Sequence, residues 1–292
     1  MKSAWVERDA KAAVDRYGKE GVAPDLALRV YTTRLIGADA KLVLHGGGNT
    51  SLKTQARDLA GQEVEALYVK GSGWDMGAIE PAGFPAVRLD DLRKLRALKE
   101  MSDADMARAQ RAFLIDPLAP SPSVEMLLHA FVPAKFVDHS HATAVLSLID
   151  QPNAQELCAD VYDGRLGFVP YLMPGFGLAK KAAQVFEQNA QIEGLILDKH
   201  GIFTFGAEAR ECYERMIEFV TLAQARLAKN RKAVFASAAL PASLARAGFR
   251  VSPRSVRRMS RERLPAVEFP SPARPSHPVV ARFVNHVWML DV

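Results

Sequence analysis

Apolar and polar residues alternate along this chain in two rhythms. Residues 4–17 and 24–37 read as helices, the second carrying Leu26, Leu28, Val30, Tyr31 and Leu35 as an approximate helical stripe. Two short apolar runs follow, 41–44 and 65–70, each ending in a glycine-rich stretch, and they predict strands entering loops. The spacing predicts helices over 87–99 and 103–114. A proline-rich segment, 116–122, interrupts the chain before a helix over 123–131 with Ser123 as its N-cap. Residues 135–141 alternate like a strand, and helices are expected over 142–149 and near 154–161. Residues 194–198 and 202–205 predict two strands joined by Lys199-His200-Gly201, and 207–229 a long helix rich in Ala, Glu and Arg.

Helices and strands therefore alternate to about residue 230, which predicts one α/β domain over 1–230. Beyond it the pattern dissolves. Residues 231–292 hold 7 of the 17 prolines and 11 Lys and Arg against three acids, so this segment reads as a basic Pro-rich tail. It is a linker, an arm, or the stub of a second domain. The rest of the chain has 27 basic and 30 acidic residues, so the net charge of +5 comes from the tail. The body shows no basic stripe interleaved with aromatics, which confines any nucleic-acid contact to the tail, where a solvated linker is the simpler reading.

Composition narrows the class further. With 292 residues, 49% hydrophobic and 24% charged, the chain can bury a core of ordinary size and is not mainly disordered. No run approaches 18 uninterrupted apolar residues, so no spanning helix is expected. The first twenty residues are charged throughout and lack the apolar run of a secretory signal. Cys158 and Cys212 fall in helical segments and are read as reduced thiols, which together place the protein in the cytoplasm.

The sharpest chemical signal is His139-Ser140-His141. On a strand, positions i and i+2 share a face, so the two imidazoles project side by side in a chelating arrangement. Alone, such a pair is more often solvated or part of a core. His200, at the turn between two expected strands, supplies a third imidazole, and three histidines with one open position suit a catalytic zinc site. Gly201 suits either a positive φ or a close approach to another segment. Glu125 and His129 lie four apart on one helix face. They form either an i,i+4 pair near a helix N-terminus or, with Glu125 beside a metal, a general acid/base and its neighbour. The loops 47–51 and 70–73 offer backbone N–H groups and hydroxyls that suit an anion, without matching a nucleotide-binding pattern. Gly175-Phe176-Gly177 is an incomplete dinucleotide pattern that follows no clear strand.

In order, GGNTS (47–51), KGSG (70–73), PSVE followed by His129, HSH (139–141) and KHG (199–201) resemble the class II aldolase/adducin family over roughly residues 20–230. VKGSGWDM, PSVEMLLHAF and VDHSHA most resemble the aldolase half of bifunctional rhamnulose-1-phosphate aldolase/short-chain dehydrogenase proteins. The chain ends at Val292 without a dehydrogenase half, so it is expected to be a stand-alone relative or a truncated product. The resemblance implies a three-layer α/β/α sandwich around a mainly antiparallel central sheet, commonly assembled as a homotetramer with sites between subunits. It implies that His139, His141 and His200 hold Zn²⁺ or another divalent transition metal. Glu125 is then the acid/base, and Asn49, Ser72, Gly73 and Ser123 hold a sugar-phosphate substrate.

Two positions depart from the fuculose-phosphate aldolase pattern. Val124 stands where a second serine is usual, and Tyr171 lies two residues before the place of a tyrosine that arrives from the neighbouring subunit. Tyr171 is the candidate for that role. The implied reaction is retro-aldol cleavage of a ketose 1-phosphate to dihydroxyacetone phosphate and an aldehyde through a metal-stabilised enediolate. The alternatives are a metal-dependent sugar-phosphate epimerase or dehydratase with the same ligands, and a non-catalytic adducin-like binding module.

Overall fold

Strand alternation decides which layer each side chain of this protein meets. The computed structural model describes residues 1–44 and 47–229. The expected Pro-rich tail, 231–292, lies outside the described residues. Seven strands form one sheet: β1 (Asn49–Arg57), β2 (Glu63–Val69), β3 (Ala86–Arg88), β4 (Phe136–Ser140), β5 (Leu166–Val169), β6 (Gly194–Leu197) and β7 (Gly201–Gly206). Their order is β3-β2-β1-β4-β7-β6-β5. All neighbours are antiparallel except β5 and β6. The helices are α1 (Glu7–Gly18), α2 (Pro24–Gly37), α3 (Leu89–Leu95), α4 (Asp103–Ala112), α5 (Met126–Phe131), α6 (Thr143–Ile149), α7 (Ala154–Tyr162), α8 (Phe176–Gln188) and α9 (Ala209–Lys229).

Leu67, Val69, Val137, Phe203 and Phe205 face one way and pack with Leu92 of α3, Leu127 and Phe131 of α5, and Phe176 and Ala179 of α8. Their strand neighbours Leu52 and Phe136 face the other way, toward Ala27 and Val30 of α2 and Cys212 of α9. Tyr162 of α7 packs edge-on against Phe219 of α9, with ring centroids 5.8 Å apart. Helices thus cover both faces of a mainly antiparallel sheet, the three-layer α/β/α sandwich that the sequence implied. Burying each such Leu, Val or Phe contributes about 1.5–3 kcal/mol. Among the described residues no helix is long and apolar enough to cross a membrane.

Several expected boundaries move, each for a local reason. Residues 41–44 form a turn rather than a strand, because the Leu42 and Val43 amides both bond to the Asp39 carbonyl, while Leu42 and Val43 are buried. The span 87–99 divides into β3, whose Val87 sits opposite Leu67, and the short helix α3. Ser123 is not the N-cap of α5: its hydroxyl accepts from the Glu125 amide at 3.3 Å inside a turn, and the helix begins at Met126 after Glu125. Asn49, Thr50 and Ser51, read as loop, begin β1. The segment after residue 165, left without elements, contains β5 and α8. Gly175 precedes α8 at φ 142°, a conformation that favours glycine, so the Gly-Phe-Gly stretch opens a helix instead of a dinucleotide loop. It does follow a strand, and α8 supplies the crossover that the parallel β5–β6 pair requires.

A polar row runs across the core behind the sheet's centre. Thr50, Asp138 and Thr204 are register partners on β1, β4 and β7. The fully buried Arg29 of α2 reaches Asp138 at 2.5 Å and also donates to Thr32 Oγ1 at 2.6 Å. Thr33 and Thr50 share a hydrogen bond at 2.7 Å, and Thr204 bonds the Cys212 carbonyl at 3.1 Å. Removing one partner of a buried ion pair strands the other's charge. Arg29→Met is therefore expected to destabilise the fold by about 3–5 kcal/mol in urea unfolding. An unchanged unfolding midpoint would show that Asp138 does not depend on it.

Candidate metal centre

The strand register assembles the site from three neighbouring strands of the sheet. Asn49 of β1 lies opposite His139 of β4, which lies opposite Phe203 of β7. His139 stacks on Phe203, with ring centroids 4.1 Å apart and planes at 16°. Its Nδ1 donates to the Ile202 carbonyl at 3.1 Å, which leaves the Nε2 lone pair facing outward. His141, two residues on, shares that side, and its Nε2 is 2.9 Å from His139 Nε2. His200 enters from the β6–β7 turn. One ring nitrogen from each of the three histidines lies within 4.8 Å of the others, and all three side chains are buried.

The turn that delivers His200 is tight for a specific reason. The left-handed residue is Lys199, at φ 57°, and not Gly201. Gly201 serves close approach: a Cβ there would lie 2.5 Å from the Ser140 carbonyl oxygen and 3.0 Å from both His139 Cε1 and His141 Cδ2. Glycine at this position lets β7 pass against the histidine-bearing strand.

Glu125 closes the cluster. Its Oε1 is 3.1 Å from His200 Nε2 and its Oε2 3.3 Å from His139 Nε2. Nδ1 of His200 has no hydrogen-bond partner, and its Nε2 meets the Glu125 carboxylate alone. Three converging buried imidazoles beside a carboxylate are a donor set that fits a divalent transition metal, so the residues present suit the ion that the resemblance implied. Burial pushes His139 down to about 4 against a smaller opposing pull from Glu125, and burial also holds His141 well below the ordinary range. Burial raises the Glu125 carboxyl, but His139 and His200 outweigh it and hold the group well below the usual carboxylate range. At neutral pH His139 and His141 are thus uncharged rings, and Glu125 is an ionised carboxylate.

Asn49 and Ser123 join the same cluster. Asn49 Nδ2 donates to Glu125 Oε2 at 2.7 Å and to Ser123 Oγ at 3.1 Å, with both residues almost fully buried. Ser72 lies alongside through the backbone: its amide donates to the Ser121 carbonyl at 2.9 Å, and the Ser123 amide to the Lys70 carbonyl at 3.0 Å. Ser72 is half-buried and Gly73 exposed, and neither lines the cavity at the histidines. That cavity, of about 240 Å³, is walled by Asp103, Met106, Ala107, Gln110, Val124, Pro174 and Gly175 above Glu125, His141 and His200. The α4 residues among these walls were absent from the sequence reading, and their helical spacing at 103, 106, 107 and 110 was the available signal. Tyr171 is 46% exposed, its hydroxyl 3.2 Å from Met173 Sδ, and it does not line this cavity.

His129 departs from its expected pairing. It does not hydrogen-bond Glu125; its Nε2 meets Asn49 Oδ1 at 2.5 Å and its Nδ1 meets Ser51 Oγ at 2.8 Å. A larger cleft of about 720 Å³ lies between α1 and the start of α9; four of its charged residues pair as Arg210–Glu7 and Lys135–Asp25, and it holds no histidine. The chemistry therefore sits in the smaller cavity.

Known proteins share this arrangement of sequence and fold. Residues 28–227 match the family model described as Class II Aldolase and Adducin N-terminal domain. A structure of the N-terminal class II aldolase domain of a conserved protein from Thermoplasma acidophilum is 39% identical, with a TM-score of 0.69, covering 78% of this chain and 99% of that one. The chain is 39% identical over 195 residues to the uncharacterized oxidoreductase YuxG of Bacillus subtilis (strain 168). That match takes in 67% of this chain and spans only 28% of the relative's length. A sugar-phosphate aldolase from Thermotoga maritima shares the fold at 17% identity and a TM-score of 0.51, covering 70% of this chain and 98% of that one.

Two outcomes are expected of the cluster. Gly201→Ala forces Ser140 and both strand histidines to move, costing about 1–3 kcal/mol in unfolding and lowering bound metal per chain measured by elemental analysis. Full metal loading of this variant would show that the approach is not tight. For the metal-free protein, His139 binds its proton in the unfolded chain near pH 6.5 but in the fold only near 4. Stability is then lost as pH falls through that window, by about 3 kcal/mol from this residue, in urea unfolding at pH 7, 5.5 and 4.5. A flat profile would contradict a buried neutral ring.

Proposed function

The chain belongs to the class II aldolase and adducin family, and we propose on that premise that it is a zinc-dependent aldolase. Its substrate is a ketose 1-phosphate of the rhamnulose or fuculose type, cleaved to dihydroxyacetone phosphate and an aldehyde. The observation that carries this reading is Glu125 within 3.3 Å of two of three converging imidazoles at the floor of an apolar-walled cavity. An adducin-like module with no catalytic task has no use for such a set.

His139, His141 and His200 are the ligands, and three nitrogen donors with an open position suit zinc. When bound, the cation supplies the Lewis acidity that offsets negative charge developing on the ketone half of the substrate. The remaining work falls to the chain's own residues. Glu125, ionised at neutral pH, takes the proton of the substrate hydroxyl that becomes the aldehyde carbonyl and delivers it to the carbon that the broken C–C bond leaves negative, its two oxygens lying beside His200 and His139. The phosphate is assigned to the hydroxyls of Ser72 and Ser123, the Gly73 amide, and the Asn49 amide proton now lent to Ser123. Binding at that remote group positions the reacting bond. Met106, Ala107, Val124 and Pro174 exclude water from the reacting atoms. Tyr171, exposed in one chain, is assigned to the aldehyde end of a neighbouring copy's site in a cytoplasmic homotetramer.

The test pairs metal analysis with a screen of phosphorylated ketoses, products being identified by NMR. Aldehyde and dihydroxyacetone phosphate are expected from the zinc-loaded protein; an isomeric ketose phosphate would make it an epimerase, and loss of water a dehydratase. Glu125→Gln is expected to retain metal and lose about 10²–10⁴-fold in kcat, whereas His139→Ala loses both metal and turnover. A fully active Glu125→Gln protein would remove the acid/base assignment.

A further inference from the structure

Four of the described residues are histidines, and His129 is the one that the metal cluster leaves out. It is fully buried on α5, and both its ring nitrogens are engaged by side chains at alternate positions of one strand, Asn49 and Ser51. A residue that only filled space here needs no such pair. Phe203 already packs against the ring, with centroids 5.4 Å apart, and an aliphatic side chain could do as much.

The directions of these hydrogen bonds are fixed by the group at their end. An ionised carboxylate only accepts, so the Asn49 atom 2.7 Å from Glu125 Oε2 is the amide nitrogen. The Asn49 carbonyl oxygen then faces His129 Nε2 at 2.5 Å, and that nitrogen must carry the hydrogen. In a ring kept uncharged by burial, Nδ1 is left with a lone pair, and it accepts from the Ser51 hydroxyl at 2.8 Å. The sequence of donors runs Ser51 to His129 to Asn49 to Glu125 without a break. Reversing the Asn49 amide would place its carbonyl against the carboxylate and leave two acceptors facing each other.

We propose that Ser51, His129 and Asn49 form a positioning chain that sets which way the Glu125 carboxylate points. Oε2, which also lies 3.3 Å from His139 Nε2, is anchored by the Asn49 amide, and Oε1, which Asn49 does not engage, faces His200 and the substrate. His129 touches neither the ligands' ring nitrogens nor the cavity, so it acts on the reaction through Asn49. This inference rests on Glu125 as the acid/base of the proposed aldolase, but its signature is legible without any substrate.

The first readout is the His129 tautomer in the metal-free, ¹⁵N-histidine-labelled protein, by two-bond ¹H–¹⁵N correlation, the signal being assigned by its loss in His129→Gln. The Nε2–H tautomer is expected at pH 7; an Nδ1–H tautomer or a charged ring would overturn the chain's direction. The second is kinetic, on the zinc-loaded protein with the ketose phosphate that it turns over. His129→Leu removes the donor and is expected to lower kcat about 10–100-fold at unchanged KM and zinc content. His129→Gln places an amide N–H near the lost Nε2–H and is expected to recover most of that loss. Equal losses in both variants, tracking their unfolding midpoints, would reduce His129 to a packing residue. A parent protein without aldolase activity would sink the proposed reaction, while the tautomer result stands separately.

Discussion

The antiparallel register of β1, β4 and β7 is the constraint from which the rest of this structure follows. It places Asn49, His139 and Phe203 in one row on one face of the sheet, and Thr50, Asp138 and Thr204 in the adjoining row on the other. A slip of one residue would exchange the two rows and send the imidazoles into the α2–α9 layer. Gly201 permits the close passage that the register needs, and the β6–β7 turn then delivers His200 beside the pair on β4.

The two rows divide the polar burden of the core. The rear row carries a charged pair, Arg29 and Asp138, both fully buried and locked to α2. The front row is kept free of net positive charge, because burial disfavours the protonated form of its rings. Neutral imidazole is the form that binds a cation, so the cost of burying histidine also prepares it as a ligand. Glu125 sits between these worlds, ionised inside a buried site by the company it keeps. Its carboxylate is held by Asn49 of β1, which in turn meets His129 of α5, rather than by any residue adjacent in sequence.

Much of this was legible from spacing. The HxH pair on a strand, the histidine in the following turn and a lone glutamate at a helix start pointed to one site, and the structure brings all four together. What spacing could not convey was the partner across the sheet. Asn49 and Ser51 read as the end of a glycine-rich loop, and so their shared strand face with His129 stayed hidden. The β5–α8 unit was obscured for a related reason: Gly175-Phe176-Gly177 reads as an incomplete dinucleotide pattern, while the buried positions 176, 179, 182 and 183 keep helical spacing. Glu125 and His129, four apart, suggested a direct pair; tertiary contacts insert Asn49 between them. Part of the cavity wall comes from α4, whose spacing at 103, 106, 107 and 110 marks one helical face without showing that this face lies over the histidines.

The central claim is that three distant imidazoles share one cation beside a single carboxylate. Anomalous diffraction from crystals of the protein loaded with zinc measures this directly. A single strong peak within bonding distance of His139, His141 and His200 is the result that this account requires. A zinc peak elsewhere, or one touching the β4 pair while His200 turns away, would contradict it.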